Sequence, residues 1–501
     1  MMRRFPMRSA ALLALLAGAM PAHAQLDGLL GDTGLSSGTV SDTTPSAPRD
    51  ERRGSRRGGS GGRETRSEIS PYLEVDQTAI WSLNGGGDVL TFTTVAVGVN
   101  ASIETRNVAI GADVRYAHQF AWDRNGFDSD MISGIVNGRV DVVRNLLSFE
   151  AGALATRTRT DFRGASTALA GASATDNVYS LYAGPNLTVP IGDLTFLANY
   201  RLGYNRVDQD NDVAAAIGVP LAASFQESWL HNANASIGMQ PGVLPFGWSV
   251  GVGYIREASS LLDQRFDDKF ARADVTVPIS AHVALVGGVG YEKIEISNRD
   301  ALRAANGEPV RSSSGNFITD PASPRRLSYD QDGLIWDAGV MWRPSPRLQA
   351  EARIGQRYGS TIYTGSLSWQ PGRRTSIAVV LFDSVDSFGR ALNSSLANLG
   401  TDFTVLRNPF SGDLSVCAFN NGAVGGACFG DTLSGISSAN FRNRGIVAQI
   451  ARSGDPWSVS AAAGYVRRKF IADPTSVLAS VNGVLDQNYF ATAGVTRQVD
   501  M

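Results

Sequence analysis

The sequence predicts an all-β protein, a transmembrane antiparallel up-and-down β-barrel of about 18 strands that follows a disordered N-terminal tail. Three observations favour this fold class. Apolar and polar residues alternate over long segments, and short connections alternate with long ones along the chain. No segment beyond the N-terminus is apolar for long enough to form a membrane-spanning helix. The strands of a soluble β-sandwich also alternate apolar and polar residues, but a sandwich gives no reason for short and long connections to alternate.

The clearest alternation is the segment Val89–Thr105. From Val95 to Ile103 one face carries Val, Ala and Ile, whereas the other carries small or polar residues that include Asn100 and Glu104. Successive side chains of a strand point to opposite faces, so this segment has one apolar and one polar face. It is also much longer than the usual soluble strand of about 5–6 residues. We assign the Val95–Ile103 face to lipid and the opposite face to the lumen.

The connections fall into a short class and a long class. The short turns are Arg106-Asn107, Arg144-Asn145, Gly192-Asp193, Pro241–Phe246, Ser280–His282, Pro344–Arg347, Pro371–Arg374 and Ser453–Pro456. The long polar loops are Asp123–Asp130, Asp161–Asn177, Asp208–Phe225, Asn298–Gly333, Gly389–Phe441 and Ala472–Asn488. Gly359 is an exception, a predicted tight turn on the long-loop side. Bacterial barrels have short periplasmic turns and longer external loops, and an even strand count places both termini on the periplasmic side.

The N-terminal residues 1–24 are predicted to form a secretory signal peptide. Arg3 and Arg4 precede the apolar run Ala10–Met20, and Ala22 and Ala24 form a small-x-small cleavage site.

Residues 25–68 are predicted to be a disordered periplasmic tail, and residues 69–501 to be the barrel. The tail is rich in Arg, Gly and Ser, most of all in Arg49–Arg63, and it lacks the apolar residues that could offset ordering entropy. A plain linker and an electrostatic tether to anionic envelope polymers are both compatible with this composition. The predicted location is therefore the bacterial outer membrane.

The composition restricts the classes of function. A formal net charge of -2 gives no support for nucleic-acid binding. Cys417 and Cys428 are the only cysteines, and in an exported chain they are predicted to form a disulfide that closes a short loop. No His lies near them to complete a metal site, and no cofactor is predicted.

The polar strand faces supply candidate lumen-lining residues. These are Asp113, Arg115, Arg139, Asp141, Glu150, Arg201, Glu292, Asp337, Glu351 and Arg353. Charges of both signs are interspersed, which suits ion pairs that keep a lumen hydrated or a charged ring that selects ions. Most tryptophans lie near predicted strand ends, where an aromatic girdle or carbohydrate stacking would explain them: Trp81, Trp122, Trp229, Trp248, Trp336, Trp342 and Trp457.

Catalytic chemistry is not predicted. Outside the signal peptide the chain has only His118, His231 and His282, and none has a Ser or Asp partner by sequence spacing. We therefore predict that the protein is not an enzyme.

Residues near the start of the predicted barrel resemble a family of outer-membrane β-barrel proteins associated with exopolysaccharide and PEP-CTERM sorting loci. The resemblance rests on Ser70–Gln77 (SPYLEVDQ), on Asp88–Val99 (DVLTFTTVAVGV) and on the Arg-Asn turn that follows. Some relatives carry the transferred name preprotein translocase subunit YajC, which suits a small single-helix protein. The resemblance implies an outer-membrane location and a barrel architecture.

Two functional hypotheses follow from the sequence. The first is a porin-like pore or export-associated channel, with polysaccharide as a candidate cargo and partner. The second is a surface-binding or adhesive barrel that acts through long external loops, with Gly389–Phe441 and its disulfide as the contact surface. In either case the expected partners are outer-membrane lipid, lipopolysaccharide and the barrel-assembly machinery.

Overall fold

The computed structural model describes residues 66–81, 89–122, 128–159, 175–209, 225–312, 316–372, 374–407, 413–420, 425–433, 436–454 and 456–497. The predicted signal peptide lies outside these residues, as does the predicted tail up to residue 65. The last three residues of that predicted tail, Arg66 to Glu68, belong instead to the first strand.

An antiparallel sheet of 18 strands forms the wall of a β-barrel. Each strand pairs with the next one along the wall. The wall strands are β1 (Arg66–Trp81), β2 (Val89–Glu104), β3 (Val108–Ala121), β4 (Ser129–Val143), β5 (Leu147–Arg159), β6 (Thr175–Ile191), β7 (Leu194–Gln209), β8 (Glu227–Met239), β9 (Gly247–Ser259), β10 (Gln264–Pro278), β11 (Val283–Asn298), β12 (Arg326–Ser345), β13 (Leu348–Arg357), β14 (Ser360–Gly372), β15 (Thr375–Asp386), β19 (Asn440–Arg452), β20 (Trp457–Ile471) and β21 (Leu485–Arg497). The predicted all-β, up-and-down architecture of about 18 strands is therefore confirmed.

Residues 387–439 interrupt the wall between β15 and β19, and we call them the insert. Its described residues, 387–407, 413–420, 425–433 and 436–439, form a small sheet of three strands and two helices. Its elements are α1 (Phe388–Ala397), β16 (Phe403–Arg407), β17 (Leu414–Asn420), β18 (Gly426–Cys428) and α2 (Gly430–Leu433). No helix in the described part of the chain is long and apolar enough to cross a membrane.

Several turns lie where the sequence predicts them, and they connect neighbouring strands of the wall. The turns at Arg106-Asn107 and Gly192-Asp193 join strands that pair directly, and Gly192 has a φ of 61°, a backbone conformation that glycine adopts without strain. The tight turn at Gly359 is also present, with a φ of 65°. We call the end of the barrel with the short turns the short-turn end, and the opposite end the long-loop end.

Several strands begin earlier than predicted, and β12 and β21 are clear examples. The predicted strands began at Leu334 and at Tyr489, whereas β12 begins at Arg326 and β21 at Leu485. These extra residues are mostly polar, and they pair with neighbouring strands beyond the apolar part of the wall. An apolar pattern therefore marks the middle of a strand better than its ends.

The wall has opposite chemistry on its two sides. In β2, Val95 and Val97 are exposed on the outside, whereas Ala96 is buried inside and Gly98 faces the Tyr72 ring. The face assignment made from the sequence of β2 agrees with this burial pattern. Apolar side chains therefore form a belt around the outside, whereas most of the inner face of β2 carries small or polar residues.

Candidate functional site

The insert lies inside the barrel and forms an apolar core with the wall. Phe388, Leu392 and Leu396 of α1 are each 1% exposed or less, and they occupy one face of the helix at four-residue spacing. They pack in one cluster with residues of β4, β5, β6 and β7, among them Ile135 and Val178. The segment predicted to be an external contact loop is therefore folded inward, because its apolar side chains are buried against the lumen wall.

The small sheet of the insert packs on the opposite side of the lumen. Cys417 and Cys428 are joined in a disulfide, which confirms the predicted pairing, and both are buried. They lie in a cluster with Val380, Val447 and Val466 from β15, β19 and β20. The disulfide therefore crosslinks a buried hairpin, formed by β17 and β18, and not an exposed loop.

Polar contacts fix the insert at several heights in the lumen. The Asn137 side-chain amide donates to the carbonyls of Leu396 and Leu399 at 3.0 and 2.6 Å, which satisfies carbonyls at the C-terminal end of α1. Farther from the short-turn end on the same pair of strands, Arg407 forms an ion pair with Asp113 and donates to the Ser133 hydroxyl at 2.6 Å.

Glycines in the wall allow the insert to lie directly against the backbone. A Cβ at Gly111 would lie 2.1 Å from the Thr401 carbonyl oxygen, and a Cβ at Gly494 would lie 2.4 Å from the Leu406 side chain. Gly111 is in β3 and Gly494 in β21, so neighbouring residues of one insert segment contact both ends of the wall sequence. This arrangement requires the wall to curve around the insert.

Three of the predicted lumen residues, Asp337, Glu351 and Arg353, belong to one charged network on β10, β12 and β13. The fourth, Glu292, lies beside this network. The Arg272 guanidinium lies 2.7 Å from Asp274 and 2.5 Å from Asp337. Arg353 lies 2.9 Å from Asp337 and also pairs with Glu351. Glu292 of β11 pairs with Arg357 in a separate bidentate contact, and both side chains are buried. Each of these charges thus has a partner of opposite sign within hydrogen-bond reach.

The other predicted lumen residues are distributed around β3 to β7. Arg139 contacts both Asp141 and Glu150 at 3.1 Å. Arg115 is buried and pairs with Glu74 of β1 at 3.2 Å. The remaining two residues are Asp113, which pairs with the insert, and Arg201, whose guanidinium lies 5.4 Å from the centre of the Tyr182 ring. The structure thus groups these residues in pairs and does not bring them together in a single ring.

The sequence reasoning missed several residues that complete these contacts. Arg272, Asp274, Arg357 and Arg407 were not selected, although the first two lie on the same strand face as Phe270. Alternation around Phe270 could have identified Arg272 and Asp274. Nothing in the local pattern of Arg407 indicates its distant partner in β3, because the two residues are 294 positions apart in sequence.

The half of the lumen at the long-loop end is also filled by a second apolar cluster, which the insert contacts through Arg390, 4.9 Å from the centre of the Phe266 ring. Apolar side chains from β8, β9, β10, β11, β14 and β15 form one cluster that includes Leu230, Phe266, Ile294, Ile362 and Val385. Strands that are not neighbours in the wall therefore meet across the interior. The barrel is closed here by its own side chains as well as by the insert.

Inward-facing residues at the short-turn end are open to solvent. Asn199 and Thr195 of β7 lie on the same strand face as Gly203, which touches the insert residue Asn393. Asn199 and Thr195 are nevertheless exposed, as are Asn100 and Glu104 of β2. The lumen thus has a polar vestibule at the short-turn end.

Three of the described connections at the long-loop end, β9–β10, β11–β12 and β20–β21, pack on one another. Ala301 and Phe317, from the β11–β12 connection, form an apolar cluster with Leu262 and with Leu478 from the β20–β21 connection. Asp263 contacts Arg299 at 3.0 Å and also pairs with Arg325. Burial alone would raise the pKa of Asp263, but these guanidinium groups outweigh it and hold the pKa below its usual value.

Aromatic and histidine residues on the outside have distinct surroundings. Trp122, Trp229 and Trp457 are about half exposed or more and lie near strand ends, and Trp336 and Trp342 of β12 are also exposed. In contrast to the sequence prediction, His118 does have an acidic partner: its Nδ1 lies 2.8 Å from Asp130, which also accepts from the Tyr116 hydroxyl.

His231 lies 2.8 Å from the Tyr200 hydroxyl, also on the outer face. Within the described residues, no group of three or more His, Cys, Asp or Glu side chains is placed to hold a metal ion.

Comparisons with known proteins identify no family for the chain. No family model matches, and no curated protein matches. The resemblance to exopolysaccharide-associated barrels therefore has no support from these comparisons.

Among solved structures, the iron transporter FrpB of Neisseria meningitidis is 8% identical to this chain and matches it with a TM-score of 0.39. The match covers 82% of this chain and 69% of the FrpB chain. The ferric-catecholate import receptor Fiu of E. coli K12 is 12% identical, with 87% and 75% covered and a TM-score of 0.40. The copper transporter OprC is 11% identical, with 90% and 74% covered and a TM-score of 0.35. At these values the likenesses carry no argument about function.

Proposed function

We propose that the protein is a barrel of the bacterial outer membrane that forms a transport passage, and that its insert holds this passage closed. The observation that carries the proposal is the insert itself, a folded unit of the same chain that packs inside a wall of 18 strands. A barrel of about 8 strands is filled by its own side chains, whereas larger barrels enclose a lumen that is either open or plugged.

The outer surface supports the membrane location. Its exposed apolar residues run around the wall from Val97 in β2 to Leu285 in β11 and Tyr489 in β21. A soluble monomer rarely exposes a contiguous apolar area of this extent, and strands paired along the wall satisfy their backbone hydrogen bonds within a bilayer. The predicted signal peptide provides the export route. The partners in this proposal are outer-membrane lipid, lipopolysaccharide and the barrel-assembly machinery.

The vestibule supports passage of a polar solute. Its exposed residues are mainly amides and hydroxyls, such as Asn199 and Thr195, and most charges farther inside are paired. Such a lining favours hydrated, uncharged solutes over a single sign of ion. Polysaccharide, the candidate cargo of the channel hypothesis, is one member of this class. The proposal assigns the protein no catalytic step.

Conductance in a planar bilayer tests the proposed passage. We expect the refolded wild-type protein to be mostly silent, because the insert fills the lumen. Replacing residues 388–439 with a short Gly/Ser linker should produce a stable conductance. Silence of both proteins, with the barrel confirmed by a band shift on heating before electrophoresis, would refute the proposal.

A locked variant provides the matched control. Asp113→Cys combined with Arg407→Cys replaces an ion pair between the wall and the insert with a crosslink. This variant should stay silent when oxidised even in the presence of a transmembrane voltage. Openings as frequent as those of the unlocked protein would show that current does not follow the path that the insert blocks.

A second candidate function is binding at the long-loop end. The observation that favours it is the packed surface made by the β11–β12 and β20–β21 connections, where Arg326 donates to Thr475 at 3.1 Å. Replacing residues 472–484 with a short linker, while measuring binding of protein-bearing vesicles to a surface, tests this role. Unchanged binding would discard it.

A further inference from the structure

A line of buried polar side chains crosses the apolar interior beside α1. Ser180, Asn205, Ser228 and Glu257 come from β6, β7, β8 and β9 and are 3% exposed or less, and we call them the polar ladder. The Ser180 hydroxyl donates to Asn205 at 2.7 Å, and the Asn205 amide donates to Ser228 at 3.2 Å. Polar groups in such a place are costly unless they are hydrogen-bonded, so the ladder favours one position of whatever packs on it.

The first turn of α1 packs directly on this ladder. Ser387 is the N-cap of α1: its hydroxyl accepts from the Arg390 backbone N–H at 3.1 Å and donates to the Glu257 carboxylate. Gly389 follows at the point of closest approach. A Cβ there would lie 2.3 Å from Glu257 Oε1, 2.5 Å from Ser228 Oγ and 2.8 Å from Asn205 Nδ2.

We propose that Glu257 is the positioning residue for the N-terminal end of α1 in its closed place, through the hydroxyl of Ser387, while Asn137 holds the C-terminal end. The apolar contacts of α1 allow small displacements along the wall, because burial of apolar area is not directional. The hydrogen bond from Ser387 is directional, and it joins the N-terminus of α1 to one site on β9. This inference rests on the proposed closed passage, because it names a residue that keeps the passage closed.

Cysteine labelling of the insert tests the position of α1 independently of transport. Ala397→Cys places a thiol in α1 at a partly buried site of the same apolar cluster, and the native cysteines are joined in their disulfide. In this background, Glu257→Leu removes the acceptor at similar size, and Glu257→Gln keeps an acceptor oxygen. We expect a membrane-impermeant maleimide to label the Leu variant at least tenfold faster than the parent, with the Gln variant close to the parent.

Two further variants keep the test decisive. Ser387→Ala removes the same hydrogen bond from the insert side and leaves the wall unchanged, so it replaces Glu257→Leu if that barrel does not fold. Glu227→Leu is the matched control, because Glu227 lies on the neighbouring strand β8 and contacts Tyr204, not the insert. Its labelling rate should equal that of the parent.

Labelling and conductance separate the two proposals. Unchanged labelling in both Glu257→Leu and Ser387→Ala would overturn the role of Glu257. Faster labelling together with channel openings supports both proposals. Faster labelling in a protein that stays silent supports the role of Glu257 and refutes the proposed passage.

Discussion

Truncation of Leu392 is the most direct test of how firmly the insert is held in the lumen. Leu392 is fully buried in the cluster between α1 and the wall. Leu→Ala substitutions at such sites cost about 2.7–5.0 kcal/mol, the lost transfer free energy plus a term for the cavity. Taking about 3 kcal/mol, and a factor of ten for each 1.4 kcal/mol, the fraction of molecules with a displaced insert should rise about 150-fold.

Hydrogen exchange of the α1 backbone amides measures this fraction. In Leu392→Ala the amides should exchange faster by the same factor, whereas the amides of the wall strands should keep their wild-type rates. Leu334→Ala is the matched control, because Leu334 is 73% exposed on the outer face and the same atoms are removed there. A change of less than threefold in Leu392→Ala would refute the view that the apolar face of α1 holds the insert.

Three other substitutions test separate parts of the structure. Replacing both Cys417 and Cys428 with Ser removes the crosslink of the β17–β18 hairpin, which should lower the stability of the insert by about 2–4 kcal/mol and leave the wall unaffected. Hydrogen exchange of insert and wall amides, compared by mass spectrometry, checks this. Asp337→Asn removes one of the two carboxylates that Arg272 and Arg353 share and leaves Asp274 as the other, so the barrel should lose about 1.5–3 kcal/mol of stability and unfold at a lower temperature in heat-modifiability gels. Asp141→Asn, in a partly exposed pair, should cost about 0–1 kcal/mol. Because the pKa of Asp263 is held low in the folded protein, its ion pairs stabilise the packed loops at pH values above the ordinary carboxyl pKa of about 4. This contribution is lost as the pH falls below that value, so proteolysis of residues 299–325 in the wild type should accelerate there. An equal acceleration in Asp263→Asn would contradict the assignment.

The wall was predictable from the sequence because its constraints are local. Alternation of period two records which side of the sheet each residue faces, and turns such as Gly192-Asp193 mark where the chain reverses. The predicted starts of β12 and β21 lie too late in the sequence, because the hydrogen-bonded ladder begins before the apolar pattern does.

The insert was predicted only as a loop, although part of its structure has a sequence signal. Ser387 is followed by Phe388, Leu392 and Leu396 at four-residue spacing, which is the pattern of a capped amphipathic helix. That pattern predicts a buried face but not the surface that buries it. The direction in which the insert folds depends on contacts with distant strands, such as that of Asn137 with Leu396, and a single sequence does not encode these contacts in any local pattern.

The wall glycines that face the insert restrict how this protein can change during evolution. At Gly111 and Gly494 even a methyl group would collide with the insert, and at Gly389 it would collide with the wall. At Gly494 a larger residue is tolerated only if the Leu406 side chain shifts or becomes smaller, whereas at Gly111 it meets the backbone carbonyl of Thr401, which no side-chain substitution removes. The lumen wall and the insert are expected to covary, while the lipid-facing side chains drift independently, so an insert taken from another barrel would not fit this one.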